Sequence, residues 1–309
     1  MKPVSAAFQT FKRNQTTNPG EPSIYGKAQL NGVGGSIGTI LVDTGRLTAE
    51  NAERILRLQI EQGKRFGDTA IELGLLTEDD VRFALSRQFN TLYLPAGDNS
   101  LNHQLVAAYK PFSPVVEKLR ALRSQLMLRW FDAEARLNSL AIVSPGTGEG
   151  RSFIAANLAI VFSQLGKRTL LIDANLRAPR QHELFKLGTN PGLSGMLAGR
   201  VGIEAIARMP SLPGLSVLPG GAVPPNPQEL LGRSGFHELL QSLVREFDAV
   251  IIDTPAARDY AETQMIAARA SAALIVVRKN LTSMPDTIEL ANSLQQTGTL
   301  SVGSVLNDF

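Results

Sequence analysis

Between Ser139 and Gly166 the chain reads strand, glycine-rich loop, helix, and this order constrains the fold more than any other feature. Ser139–Val143 is short, apolar and β-prone, which suits a strand buried on both faces. The loop Pro145–Ser152 follows, with Gly146, Gly148 and Gly150 at alternate positions. A helix is predicted over Phe153–Leu165, closed by Gly166. Glycines let backbone N–H groups turn toward phosphate oxygens, and a helix N-terminus adds positive potential. Arg151 extends that charge, and the Ser152 hydroxyl suits a magnesium ion.

Further segments continue the alternation of strands and helices, the pattern of an open, mostly parallel sheet. Thr169–Asp173 and Ala249–Asp253 are apolar runs that each end in a carboxylate. Ligands of open α/β sheets bind outside the carboxyl ends of the strands. Asp173 and Asp253 therefore suit metal coordination and activation of an attacking group beside Ser152. Arg177 and Arg180 follow, readable either as phosphate-steering groups or as members of surface ion pairs.

Ahead of this region lies an internal repeat. Gly38, Gly45, Leu47, Thr48, Leu56 and Gln59 recur as Gly67, Gly74, Leu76, Thr77, Leu85 and Gln88, an offset of 29 residues. Each copy reads as a short helix, a glycine stop and a second helix N-capped by threonine. The expected organisation is a tail over 1–35, a small helical domain over 36–95, a turn-rich linker over 96–112 and the α/β domain over 113–309. The tail contains Pro, Gly, Asn and Ser without apolar periodicity. A helix is predicted from Val115 to Met127, with Glu117, Arg120 and Arg123 on one broad face.

Composition narrows the function. There is no cysteine, which excludes disulfides, thiolate metal sites and thiol nucleophiles. The three histidines are scattered. No apolar run approaches the roughly 20 residues of a membrane helix. The net charge of +3 is small and dispersed, so nucleic acid is not an expected partner.

The α/β region resembles the cytoplasmic kinase domain of bacterial tyrosine kinases, a branch of the deviant-Walker P-loop ATPases. The resemblance rests on Gly146, Thr147, Gly148, Glu149, Gly150, Arg151, Ser152 and Phe153 as the phosphate loop. It rests also on Ile172–Arg177 as the second Walker segment, on Val250–Asp253 as the third, and on Leu218–Leu231. It implies ATP and Mg2+ as cofactors, phosphoryl transfer to tyrosine, and a metal site of Ser152, Asp173 and Asp253. Asp173, Arg151 and Asp253 are the implied catalytic groups. Glu117, Arg120 and Arg123 match a motif that builds homo-oligomeric rings in that family. The helical repeat resembles MshEN-type domains, in which paired motifs bind cyclic di-GMP; its residues read equally as a docking module whose Gly and Leu serve packing. Together the two resemble regulators of exopolysaccharide chain length, cytoplasmic and held at the inner membrane by a membrane-embedded chain-length determinant protein.

Four departures bear on that expectation. Arg151 stands in place of the loop lysine and presents a planar fork instead of a point charge. Asn175 replaces a second aspartate. Ser36 stands where the first repeat would carry the arginine that Arg65 supplies in the second. The family's tyrosine-rich tail is absent from this sequence, whose tyrosines are Tyr25, Tyr93, Tyr109 and Tyr260. Two readings remain open: a tyrosine kinase, or a nucleotide-gated scaffold without transfer. A third, a positioning ATPase of the ParA and MinD kind, ranks last because Gly146 occupies the place of that class's second lysine.

Overall fold

A computed structural model describes residues 36–88, 93–95, 97–131 and 137–308. The tail expected over 1–35, with Tyr25, lies outside these residues. The described residues divide into two compact units: one within 36–98 with 109–112, the other 99–108 with those of 113–308.

The helical unit contains α1 (Ile37–Asp43), α2 (Ala49–Gln62), α3 (Phe66–Glu72) and α4 (Glu78–Gln88). Thr48 caps α2 by accepting from Asn51 N–H at 3.3 Å. At α4 the cap is reciprocal: Thr77 Oγ1 accepts from Asp80 N–H at 3.2 Å, and Asp80 Oδ2 accepts from Thr77 N–H at 3.0 Å. The copies interlock, since α1 packs on α4 and α2 on α3. The buried core consists largely of repeat-equivalent residues: Leu41 with Ala70, Leu47 with Leu76, Ile55 with Ala84. Ser36 N-caps α1 by accepting from Thr39 N–H at 3.3 Å, whereas Arg65 makes no side-chain cap bond at α3. The Arg-to-Ser difference between copies therefore adds a helix cap to the first.

The second unit is a sheet with strand order β3-β4-β2-β5-β1-β6-β7. Its strands are β1 (Ser139–Val143), β2 (Thr169–Asp173), β3 (Ala207–Arg208), β4 (Leu215–Leu218), β5 (Ala249–Asp253), β6 (Ala272–Arg278) and β7 (Leu300–Asn307). Every pairing is parallel except β3 with β4. Strands β1, β2, β4 and β5 are buried at every position, as strands covered on both faces must be.

The helices relevant to the site are α5 (Pro114–Arg129), α6 (Arg151–Ser163), α7 (Gln181–Leu184), α8 (Gly192–Leu197), α9 (Pro227–Gly232), α10 (Ser234–Glu246), α11 (Glu262–Ala270) and α12 (Met284–Gln296). Helix α6 starts two residues earlier than its sequence suggests, because Gly150 takes the left-handed N-cap conformation at φ 94°. This places Arg151 and Ser152 in the first turn, where N–H groups are free of helical partners. Much of the expected linker is ordered against the sheet unit. Ala107 N–H donates to Asn157 Oδ1 at 2.9 Å, and Gln164 Nε2 donates to the Ala107 carbonyl at 2.9 Å. Two polar side chains, Asn157 of α6 and Gln164 at its C-cap, thus satisfy a segment whose turn-rich composition reads as a linker.

Candidate functional site: a phosphate loop facing paired carboxylates

The loop Gly146–Gly150 leaves the C-terminal end of β1 and enters α6. Gly148 and Gly150 sit at φ 73° and 94°, where a side chain would be strained. Glu149 is buried within the loop: one oxygen accepts from Gly146 N–H at 2.9 Å and the other from Thr282 Oγ1 at 2.6 Å. The strands on the far side of β1 hold the loop as well. Arg278 on β6 donates to the Gly148 carbonyl at 3.0 Å, and Asn307 on β7 donates to the Glu149 carbonyl at 3.0 Å.

Arg151 is 8% exposed, and its guanidinium lies beneath the loop. It donates to the Thr254 carbonyl at 2.6 Å, to the Gly146 carbonyl at 3.1 Å and to the Ser144 hydroxyl. Its Nε stands 4.0 Å from Asp253 Oδ1. Burial pulls the guanidinium below its ordinary range, opposed by the charges of Asp253, Glu149 and Asp173. The arginine expected to reach toward phosphates thus ties β1, the loop and the end of β5 together.

Asp173 and Asp253 are register partners at the ends of β2 and β5, both fully buried. Asp173 accepts three backbone N–H bonds, from Asn175 at 3.2 Å, Arg180 at 2.8 Å and Gln181 at 2.9 Å. Burial and the neighbouring Asp253 push it up, against those three donors. Burial also pushes Asp253 up, against Arg151, Gln181 and Ser152. Gln181 Nε2 donates to Asp253 Oδ2 at 2.8 Å, while Asp253 Oδ1 is buried without a hydrogen-bond partner. That orphan acceptor beside the Ser152 hydroxyl fits a hard cation.

Several expected residues lie elsewhere. Asn175 does not face the carboxylates; it exchanges bonds with Ala178, Nδ2 to carbonyl at 2.9 Å and N–H to Oδ1 at 3.3 Å. Arg177 pairs with the buried Glu262 at 2.6 Å and lies over the Tyr260 ring at 4.2 Å, so it is a bridge between elements. Glu117 pairs with Arg120 on α5, and Arg123 turns inward to donate to the Val161 carbonyl of α6 at 2.7 Å.

Sequence reasoning did not find Ser144, Gln181, Thr254, Thr282 or Asn307. Ser144 and Thr254 directly follow their strands, a positional hint. The other three lie far along the chain without a local pattern. The Leu218–Ala222 stretch also gains a reason. A Cβ on Gly221 would lie 1.9 Å from the Pro191 carbonyl oxygen, so the two backbones meet only if this residue is glycine.

The model for the CobQ/CobB/MinD/ParA nucleotide binding domain matches residues 140–309, more than half of the chain. The chain is 37% identical over 194 residues to "Tyrosine-protein kinase ptk" of Acinetobacter johnsonii, 63% of this chain and 26% of that protein. It is 32% identical over 198 residues to "Putative tyrosine-protein kinase CapB" of Staphylococcus aureus, 64% of this chain and 86% of that protein. The kinase domain of Escherichia coli tyrosine kinase ETK superposes with a TM-score of 0.63 at 32% identity, over 66% of this chain and 79% of that domain. The chimerical protein CapA2B2 gives 0.63 at 32% identity, over 75% and 98%. The chain spans only 26% to 29% of three of its long relatives. These matches place the chain in the bacterial tyrosine kinase family, built on the CobQ/CobB/MinD/ParA nucleotide-binding domain.

Proposed function

We propose that the chain transfers the γ-phosphoryl group of ATP to tyrosine hydroxyls and thereby regulates export of an extracellular polysaccharide. The observation that carries this reading is the glycine-rich loop at a helix start, facing two buried carboxylates in register on adjacent strands. The loop N–H groups and the α6 terminus hold phosphate oxygens. Ser152 and Asp253 Oδ1 would hold Mg2+, which when bound neutralises charge on the phosphates. Asp173 fixes the turn from Asn175 to Gln181 and stands beside Asp253 as the second carboxyl group of the site. The phenol oxygen bonds to the γ-phosphorus as its bond to the β–γ bridging oxygen breaks, and ADP leaves with that electron pair. The phenol proton passes to a carboxylate oxygen of the pair.

A membrane chain-length determinant protein is the proposed partner, ring assembly through α5 the proposed quaternary state, and cytoplasmic attachment to the inner membrane the proposed location. No helix among the described residues is long and apolar enough to cross a membrane. Cyclic di-GMP is the proposed ligand of the helical unit. A groove of about 560 Å3 there collects Ser36, Gly38, Gln59 and Gln88 from both copies.

The test is incubation of the purified chain with Mg-ATP, with and without the partner's cytoplasmic tail, followed by mass spectrometry for phosphotyrosine. Ser152→Ala is expected to reduce transfer by about 100-fold or more. ATP binding without transfer in every sample would replace the kinase with a nucleotide-gated scaffold. Absence of ATP binding would remove both.

A further inference from the structure

At the carboxyl end of the sheet the features follow the strand order: the Pro219–Gly221 turn after β4, Asp173 on β2, Asp253 on β5, the phosphate loop after β1, then Arg278 and Asn307 on β6 and β7. The loop is bracketed, with both carboxylates on one side only. A nucleotide on the loop directs its transferable phosphate toward those carboxylates, because the metal-binding charge lies there. Its acceptor then approaches from beyond Asp173, on the β4 side.

A groove of about 420 Å3 lies on that side, lined by His182, Thr189, Asn190, Pro191, Pro219 and Ala222 among others. Its walls are built. Leu193 N–H donates to the Pro219 carbonyl at 2.7 Å and Ser194 N–H to the Gly220 carbonyl at 3.0 Å. Ser194 Oγ donates to the Ala222 carbonyl at 2.7 Å, and Asn190 Oδ1 accepts from Gly192 N–H at 2.8 Å. The start of α8 is thereby stitched to the turn after β4. The groove is also continuous with the catalytic turn: the N–H groups of Arg180 and Gln181, just before His182, both donate to Asp173 Oδ2.

We propose that this groove binds the ring of the acceptor tyrosine, presented in an acidic peptide segment. This inference rests on the kinase reading above. Two proline rings and an imidazole offer flat, largely apolar surfaces of the kind an aromatic side chain prefers. No Asp, Glu, Lys or Arg lines the groove, which suits a neutral phenol and disfavours a bound phosphate. Arg180, exposed and two residues before His182, favours acidic residues flanking the tyrosine.

The test measures binding of a fluorescent Glu/Tyr copolymer to the full chain with Mg-ADP, with a Glu/Ala copolymer as the charge control. Ala222→Trp puts an indole at the groove mouth and is expected to weaken Glu/Tyr binding about tenfold. His182→Ala should weaken it several-fold. Thermal unfolding and the affinity for a fluorescent ATP analogue, changed by less than about twofold, show that both variants are folded and nucleotide-competent. Unchanged Glu/Tyr affinity in both variants, or equal binding of Glu/Ala, overturns the groove. Tyrosine-dependent binding that Ala222→Trp abolishes, in a chain that never transfers phosphate, leaves the groove standing and removes the kinase reading. Transfer at an unchanged KM for the copolymer in both variants does the reverse.

Discussion

Arg151 shows how one side chain can serve a loop in place of a ligand. Its guanidinium reaches the Thr254 and Gly146 carbonyls and the Ser144 hydroxyl, and it stands opposite Asp253. Arg151→Ala leaves a buried carboxylate without its cation and should cost about 3 kcal/mol in urea unfolding of the sheet unit. Arg151→Lys carries the charge as a compact ammonium that cannot make all these bonds. It should lower the melting temperature while raising the transfer rate, because a flexible point charge can follow the phosphate. Single-turnover kinetics read the second effect. Glu149 and Thr282 form another pair, with the carboxylate at 2.6 Å from the hydroxyl. Thr282→Val should weaken ATP binding by about threefold to tenfold, and Thr282→Ser should restore it. With Glu149→Gln already present, Thr282→Val should add little, since the two act through one bond.

Among the elements, the helical repeat turns on close approach. A Cβ on Gly67 of α3 would lie 2.8 Å from Val81 Cγ1 of α4, while one on Gly38 would lie 3.3 Å from Phe66 Cζ. Gly67→Ala should therefore destabilise the helical unit by about 1–3 kcal/mol despite alanine's better helix propensity. Val81→Ala in the same chain should recover part of that loss, as chemical denaturation would show. Helix α5 separates two roles that its sequence runs together. Arg123 is engaged with the Val161 carbonyl of α6, whereas Glu117 is exposed and pairs with Arg120. Arg123→Ala should lower stability by about 1–2 kcal/mol. If the proposed ring forms through α5, Glu117→Lys should lower its sedimentation coefficient and leave monomer stability almost unaltered.

Across the whole molecule, each unit carries an aspartate held below its ordinary range. Burial pushes Asp248 up, but bonds from the side chain and backbone of Arg168 outweigh it. Burial pushes Asp80 up, and bonds from Thr77 and Arg46 outweigh that. A carboxyl depressed in the folded state stabilises above its unfolded pKa of about 3.9 and loses that contribution as pH falls through the folded value. The Asp248 and Asp80 contributions should therefore persist down to about pH 4 and fall away below it, with Asp248→Asn removing that loss from the sheet unit, while the raised Asp173 and Asp253 make the sheet unit gain stability as pH falls toward about 4. The residues alone determined the strand–loop–helix start, the two strands ending in Asp173 and Asp253, and the two helical hairpins. These are local patterns of apolar period, glycine and capping residues, and local patterns are written in consecutive positions. Only the tertiary structure decided that Asn99–Ala108 belongs with the sheet unit. It also decided that Arg151 and Arg123 turn inward, and that Gln181, Thr282 and Asn307 complete the loop and carboxylate cluster. Those outcomes depend on which distant backbone carbonyls and carboxylates need a partner once the strands are side by side, and that need exists only after the sheet has set β2, β5, β1, β6 and β7 in order.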